Sequence, residues 1–175
     1  MQIRGRNLEL LIPEAQIKEK VKEIAEKINQ DFEGEEILAV CILKGAFIFF
    51  SDLVRELKGK VYIDFMQVSS YKTEMESFGE VIFIKEMSED IKDRNVLLID
   101  DIIDTGRTLK ALVEALSLRN PRKLKTAVLL DKKERREVDY EADYTGFVIP
   151  DKFVVGYGLD WAEEGRTLKD IYMVV

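Results

Sequence analysis

Three aspartates and a Thr-Gly-x-Thr turn follow one short apolar run, residues 96–99. Asp100 and Asp101 come directly after the run, and Asp104 precedes the turn Thr105-Gly106-Arg107-Thr108. Unpaired N–H groups and partial positive charge at the start of a helix make a natural site for phosphate, which a glycine lets approach the backbone. The aspartates could accept hydrogen bonds from sugar hydroxyls and ligate a hard cation. The segment therefore predicts a site for a phosphorylated sugar.

A simpler interpretation is that Asp104 or Thr105 only caps the helix that follows. Capping would explain one polar residue, but not three acids beside a Thr-Gly-x-Thr turn. The Walker A spacing is absent. Gly156-Tyr157-Gly158 also lacks the third glycine and the following helix of a dinucleotide site. We therefore favour sugar-phosphate binding.

The chain of 175 residues contains no histidine, and Cys41 is its only cysteine. Acid–base chemistry must then use Asp, Glu, Lys, Tyr or that cysteine, which excludes Ser-His-Asp and Cys-His hydrolases. Cys41 lies in an apolar run and is interpreted as a core thiol, which fits a reducing cytoplasm. The net charge of −7 argues against charge-driven binding of nucleic acid. With no long apolar run and no signal pattern, we expect a cytoplasmic protein without a membrane partner.

Apolar runs alternate with amphipathic segments along the chain. Ile17, Val21, Ile24 and Ile28 predict one face of a helix, and the apolar run 37–43 predicts a strand buried on both faces. The other predicted elements are helices beginning near residues 47 and 105, and strands at 61–68, 80–85, 96–99, 125–130, 145–149, 153–157 and 171–175. This alternation predicts an α/β fold with a mostly parallel sheet, in one domain spanning residues 1–175. Residues 69–79 are polar and predict either a functional lid or a plain hairpin connection.

The acidic segment resembles the phosphoribosyltransferase family, whose diphosphate-sugar loop has this form. Further segments resemble the hypoxanthine-guanine branch of that family: Leu43-Lys44-Gly45, Ser70-Tyr71, residues 129–132, residues 149–157, and Asp160 with Arg166. The resemblance covers nearly the whole chain. It implies the type I phosphoribosyltransferase fold, with a small hood formed from the N- and C-terminal segments and a mobile lid. It also implies Mg²⁺-dependent purine salvage, in which hypoxanthine or guanine and phosphoribosyl pyrophosphate give IMP or GMP and pyrophosphate.

The resemblance assigns the reacting sugar and the purine N7 to the acidic segment. Asp104 would accept the N7 proton, and residues 105–108 would bind the 5-phosphate. Asp100 and Asp101 would contact the ribose hydroxyls and Mg²⁺. The family often has Glu-Asp at this pair, so the shorter first side chain here could contact the metal through water.

The remaining roles fall on other segments. Lys44, Gly45 and Arg166 would bind pyrophosphate, with a cis peptide before the lysine, and Ser70 and Tyr71 would form the tip of the lid.

The resemblance also assigns the purine site. Lys132 would donate to the purine O6, Phe153 would stack on the ring, the backbone of Val154 would read the base edge, and Asp160 would lie near the base as a second Mg²⁺ ligand. By pattern alone, Phe153 would be a core aromatic and Lys132 part of a solvated charged run.

Three other functions fit parts of the pattern. One is a related transferase acting on xanthine, uracil or adenine, and another is an RNA-binding regulator that reuses the fold, which the acidic balance disfavours. The third is a ligand-binding domain without activity. For a salvage enzyme, the family implies small-molecule substrates and a homodimer or homotetramer.

Overall fold

The computed structural model describes residues 1–70 and 81–175. In chain order, its elements are β1 (Gln2–Ile3), β2 (Arg6–Ile12), α1 (Glu14–Phe32), β3 (Ile37–Leu43), α2 (Phe47–Val54), β4 (Val61–Ser70), β5 (Val81–Lys85), β6 (Asn95–Ile103), α3 (Arg107–Ser117), β7 (Lys123–Asp131), β8 (Tyr144–Val148), β9 (Val154–Val155) and β10 (Ile171–Val174). A short 3₁₀ turn, Lys133–Arg135, follows β7.

Six strands form the central sheet in the order β5-β4-β3-β6-β7-β8. All neighbouring pairs are parallel except β4 and the edge strand β5, which are antiparallel. Helices α1 and α2 cover one face, and α3 covers the other. The predicted α/β fold with a mostly parallel sheet is confirmed.

The core lies on both faces of β3, which is why this strand is apolar throughout. Ala39 and Cys41 point toward the layer that contains α1 and α2, whereas Leu38, Val40 and Ile42 point toward α3. The predicted apolar face of α1 is buried, and α3 also buries one apolar face. Burial of this kind supplies most of the free energy that holds a parallel sheet between its helices.

A second, antiparallel sheet of four short strands joins the two ends of the chain in the order β1-β2-β10-β9. Leu8 of β2 pairs with Val174 of β10, and Val155 of β9 pairs with Tyr172. This sheet is the hood that the resemblance implied.

The strand order of the central sheet reverses between β3 and β6, because the chain adds β4 and β5 on one side of β3 and then β6, β7 and β8 on the other. Strands β3 and β6 pair only as far as Cys41 and Ile99. Beyond that point β3 continues along β4 to Leu43, and β6 continues along β7 to Ile103. The prediction that β6 ends at Ile99 is therefore wrong, because its pairing with β7 carries the strand through the aspartates. Where the strand order of an α/β sheet reverses, the crevice outside the carboxyl ends of the strands is the usual ligand site.

Ser70 ends β4, while Tyr71 and most of the predicted lid lie outside the described residues. Within residues 1–70 and 81–175, no helix has the length and apolar character needed to cross a bilayer.

Candidate active site

The adjacent acids Asp100 and Asp101 line the crevice on the β6 side. Asp100 Oδ1 accepts the N–H of Asp101 at 2.9 Å, and Asp101 Oδ1 accepts the N–H of Ile102 at 2.7 Å. Burial raises the pKa of both carboxyls, and the charge of Asp101 raises the pKa of Asp100 further. A hard cation would offset this like-charge repulsion, so the pair fits the predicted Mg²⁺ contact.

The described residues contain no group of three Asp, Glu, His or Cys side chains arranged to hold a metal ion. Asp160 therefore does not join Asp100 and Asp101 in a single cluster of ligands. Asp100 and Asp101 could still contact Mg²⁺, because this ion is usually held by one or two carboxylates while water and substrate oxygens complete its coordination shell.

Beyond β6, the Thr-Gly-x-Thr turn leads directly into α3. Gly106 is the N-cap residue with φ 82°, a conformation that favours glycine. Thr105 Oγ1 accepts the N–H of Arg107 at 3.3 Å, and among described residues the N-cap contributes no side-chain hydrogen bond. The Arg107 side chain pairs with Glu137, whose N–H donates to the Thr105 carbonyl at 2.9 Å. Other backbone N–H groups of the first helical turn, which includes Thr108, are therefore available to bind a ligand.

Asp104 does not cap the helix, because its carboxylate faces Arg135 instead. Arg135 Nε lies 2.7 Å from Asp104 Oδ1, although no N–H is aligned with that oxygen as a hydrogen bond. The side chain of Asp104 is 41% exposed. The same guanidinium lies 3.7 Å from Asp151, so Arg135 bridges the acidic segment and the segment that precedes Phe153.

On the β3 side of the crevice lies the predicted diphosphate loop, Leu43-Lys44-Gly45. The Leu43–Lys44 peptide is cis, as the resemblance implied. A Cβ atom on Gly45 would overlap the Asp101 carboxylate, and one on Gly158 would overlap the Gly45 carbonyl. The absence of both side chains lets the loop, the acid and the hood pack against one another.

Four charged side chains meet between the hood and this loop: Lys44, Asp160, Glu163 and Arg166. Lys44 Nζ lies 3.4 Å from each carboxylate oxygen of Glu163. Arg166 Nη2 lies 3.0 Å from Asp160 and 3.2 Å from Glu163, and Nη1 donates to the Gly158 carbonyl at 2.8 Å. Lys44 and Arg166 are thus brought together as predicted.

The predicted purine residues lie at the ends of β7 and β9. Lys132 is only 8% exposed, so it does not belong to a solvated run, and its N–H donates to the Ile103 carbonyl at 3.0 Å. Phe153 is 51% exposed, so it is not a core aromatic either, and its ring lies 5.7 Å from that of Trp161 at an angle of 57°. Val154 is buried in β9, where its backbone pairs with β10. An accessible ring suits stacking on a flat ligand, and a buried lysine suits a polar edge of such a ligand.

Several residues of the site were not predicted from the sequence. Arg135 and Glu163 lie in charged segments without periodicity, where no pattern indicates which side chain turns inward. Arg136 donates to the fully buried Asp131 at 2.5 Å, and its side chain packs against Gly106. The only signal for Trp161 was that it is the single tryptophan of the chain.

Comparison with known proteins agrees with this geometry. A family model described as the phosphoribosyl transferase domain matches residues 13–162. The hypoxanthine-guanine phosphoribosyltransferase of Aquifex aeolicus is 52% identical over 174 residues, which cover 99% of this chain and 98% of that protein. The hypoxanthine phosphoribosyltransferase of Salmonella typhimurium is 43% identical over 170 residues, 96% of each chain.

A solved structure is similarly close. The crystal structure of a hypoxanthine-guanine phosphoribosyltransferase from Bacillus anthracis superimposes with a TM-score of 0.92 at 48% identity, covering 95% of this chain and 98% of that one. Together with the family match over most of the chain, these likenesses show that the chain belongs to the phosphoribosyltransferase family.

Proposed function

We propose that this chain transfers the 5-phosphoribosyl group from phosphoribosyl pyrophosphate to hypoxanthine or guanine, giving IMP or GMP and pyrophosphate. The observation that carries the proposal is the crevice between β3 and β6. The diphosphate loop with Lys44 lies on one side. On the other side, two acids lead into Asp104 and a helix whose N-cap residue is a glycine. The relatives named above support the choice of purine.

The sugar end of the substrate fits the acidic segment. The backbone N–H groups of the turn 105–108, with the hydroxyls of Thr105 and Thr108, would bind the 5-phosphate. Asp100 and Asp101 would accept hydrogen bonds from the ribose hydroxyls. Fixing the sugar at both ends orients its anomeric carbon, which lowers the entropic cost of bringing two reactants together.

The diphosphate end fits the cations under the hood. Lys44 would act as a point charge, whereas the planar fork of Arg166 suits two phosphate oxygens at once. Both would bind diphosphate more strongly as it gains charge on leaving the anomeric carbon. When bound at Asp100, Asp101 or Asp160, Mg²⁺ would supply further charge stabilisation of the same leaving group.

The family resemblance assigns proton transfer to Asp104, and a carboxylate in this role suits a chain that has no histidine. Its carboxylate would accept the proton from purine N7 as the new bond forms, and would return it in the reverse direction. Arg135 holds this carboxylate on the side that faces the segment before Phe153.

Base selection is assigned to the residues at the ends of β7 and β9. Lys132 would donate to the O6 of a 6-oxopurine, and adenine presents a donor at that position instead. Phe153 would stack on the purine ring, and the backbone of Val154 would read its edge. A buried lysine that loses its acceptor is costly, which favours the oxo base strongly.

The proposal is tested by measuring pyrophosphate release from phosphoribosyl pyrophosphate with hypoxanthine, guanine, xanthine, adenine and uracil in turn. Each base is assayed with Mg²⁺ and with excess chelator. Turnover with hypoxanthine or guanine that depends on Mg²⁺ is expected. Turnover with adenine or uracil alone would refute the assigned substrate but not the family.

The same resemblance leads us to propose that the enzyme acts in the cytoplasm as a homodimer or homotetramer. Light scattering coupled to size-exclusion chromatography measures the second property directly. A monomer at micromolar concentration would contradict it.

A further inference from the structure

Glu163 lies between the two cations that we assign to diphosphate. Its carboxylate is 3.4 Å from Lys44 Nζ through either oxygen and 3.2 Å from Arg166 Nη2. Lys44 follows β3 of the central sheet, and Arg166 lies in the segment that connects β9 and β10 of the hood. One side chain therefore joins the two cationic contacts across the boundary between sheet and hood.

The position of this carboxylate is set by its backbone. The N–H of Glu163 donates to Asp160 Oδ2 at 2.7 Å, and both Ala162 and Glu163 have positive φ, 50° and 69°. Such a conformation is unusual for residues with a side chain. The turn thus places the side chain beside Arg166, although 66% of it remains exposed to solvent.

The cations around Glu163 keep its carboxylate ionised. Arg166 and Lys44 lower the pKa of Glu163, so its carboxylate is anionic at neutral pH. Carboxylate and phosphate oxygens accept from the same ammonium and guanidinium donors. A cation that already pairs with a carboxylate has to release it before it can pair fully with a phosphate.

We propose that Glu163 is a positioning residue that pairs with Lys44 and Arg166 and exchanges with diphosphate for these two cations. The inference rests on the diphosphate site named under the proposed function. It goes further because it gives a third residue a role in how tightly the product is held. By competing for the cations, the carboxylate weakens the binding of diphosphate and speeds its departure.

The test compares Glu163→Gln with Glu164→Gln. Glutamine keeps the size of the side chain and removes its charge. Glu164 is the adjacent acid, and its carboxylate pairs with Arg4 at 3.3 Å instead of with the two cations. The control therefore removes the same charge from the same turn without freeing Lys44 or Arg166.

The probe is inorganic pyrophosphate with Mg²⁺, titrated calorimetrically into each protein in the absence of purine. Glu163→Gln is expected to bind it about two- to tenfold more tightly than the unchanged protein, since each exposed ion pair contributes modestly. Glu164→Gln is expected to match the unchanged protein. The gain should shrink at high salt, because the contacts are exposed and screened, and melting temperatures should be alike in all three.

The outcomes separate the inference from the proposed function. If Glu163→Gln binds pyrophosphate equally or more weakly, or if Glu164→Gln gains as much, Glu163 is no competitor for the site and the inference fails. If the unchanged protein shows no saturable binding of Mg²⁺-pyrophosphate, the assigned diphosphate site is itself refuted, and the inference fails with it.

Discussion

Asp104→Asn tests the proton acceptor with the smallest change of shape. Asparagine has the same outline as aspartate but cannot take up a proton at neutral pH. Among the described residues, the one cationic partner of this carboxylate is Arg135, at 2.7 Å. The replacement thus removes one proton acceptor and one half-exposed ion pair.

The two effects differ greatly in size. General acid–base assistance is worth a factor of about 10²–10⁴ in rate, so turnover should fall by that amount. The side chains of Asp104 and Arg135 are 41% and 46% exposed, and ion pairs with such exposure contribute about 0–1 kcal/mol to folding. In a chain of this length, a loss of 1 kcal/mol lowers the melting temperature by about 2–4 °C.

The assay pairs steady-state turnover of hypoxanthine with calorimetric binding of Mg²⁺-pyrophosphate. Turnover should drop while diphosphate binding changes little, because the cations under the hood are untouched. Asp151→Asn is the matched control, since Asp151 lies 3.7 Å from the same guanidinium. Unchanged turnover in Asp104→Asn, or an equal loss in Asp151→Asn, would refute the assignment.

Other features of the site lead to three more predictions. Burial and the charge of Asp101 raise the pKa of Asp100 on folding, so ionisation of Asp100 lowers the stability of the folded state as the pH rises. Asp100→Asn should therefore raise the melting temperature of the ligand-free protein more at pH 8 than at pH 4, and calorimetry that shows the reverse trend would contradict this. Gly158→Ala would drive a Cβ into a carbonyl of the diphosphate loop and should weaken pyrophosphate binding, whereas Gly5→Ala, also at positive φ but with no atom within 4 Å, should not. Trp161 is the single tryptophan and touches the predicted purine-stacking ring, so its emission should change when IMP is titrated, and a flat response would place the base elsewhere.

The sequence predicted best the parts of the molecule where hydrophobic burial alone decides the structure. The bounds of β3, Ile37–Leu43, were predicted as the structure has them, because a strand covered on both faces is apolar from end to end. The apolar face of α1 was predicted for the same reason.

Elements that depend on distant pairing were predicted less well. β6 extends to Ile103 because β7 continues beside it, and nothing in the local pattern of residues 100–103 indicates that neighbour. The strand β2 had no local prediction at all, since its partner β10 lies at the other end of the chain. The hood came from the family resemblance rather than from periodicity.

Within the site, the positions of charged side chains were the hardest to predict. Lys132 and Arg135 belong to one charged run, yet Lys132 is buried and Arg135 turns toward Asp104. A charged run favours solvent on average, and only the geometry of the turn after β7 decides which members face inward. The position of Glu163 was not predicted for the same reason.

The packing between hood and sheet limits how ligands exchange at the site. The Tyr157 hydroxyl donates to Asp52 of α2 at 2.5 Å, so the hood is attached to the helix that directly follows the diphosphate loop. Gly158 lies against the backbone of Gly45 in that loop. Because of these two contacts, separating the hood from the sheet would break a hydrogen bond and expose close packing. The exposed side chains between them, Glu163 among them, cost far less to move. Release of diphosphate in this protein is therefore expected to proceed by rearrangement of side chains rather than by opening of the hood.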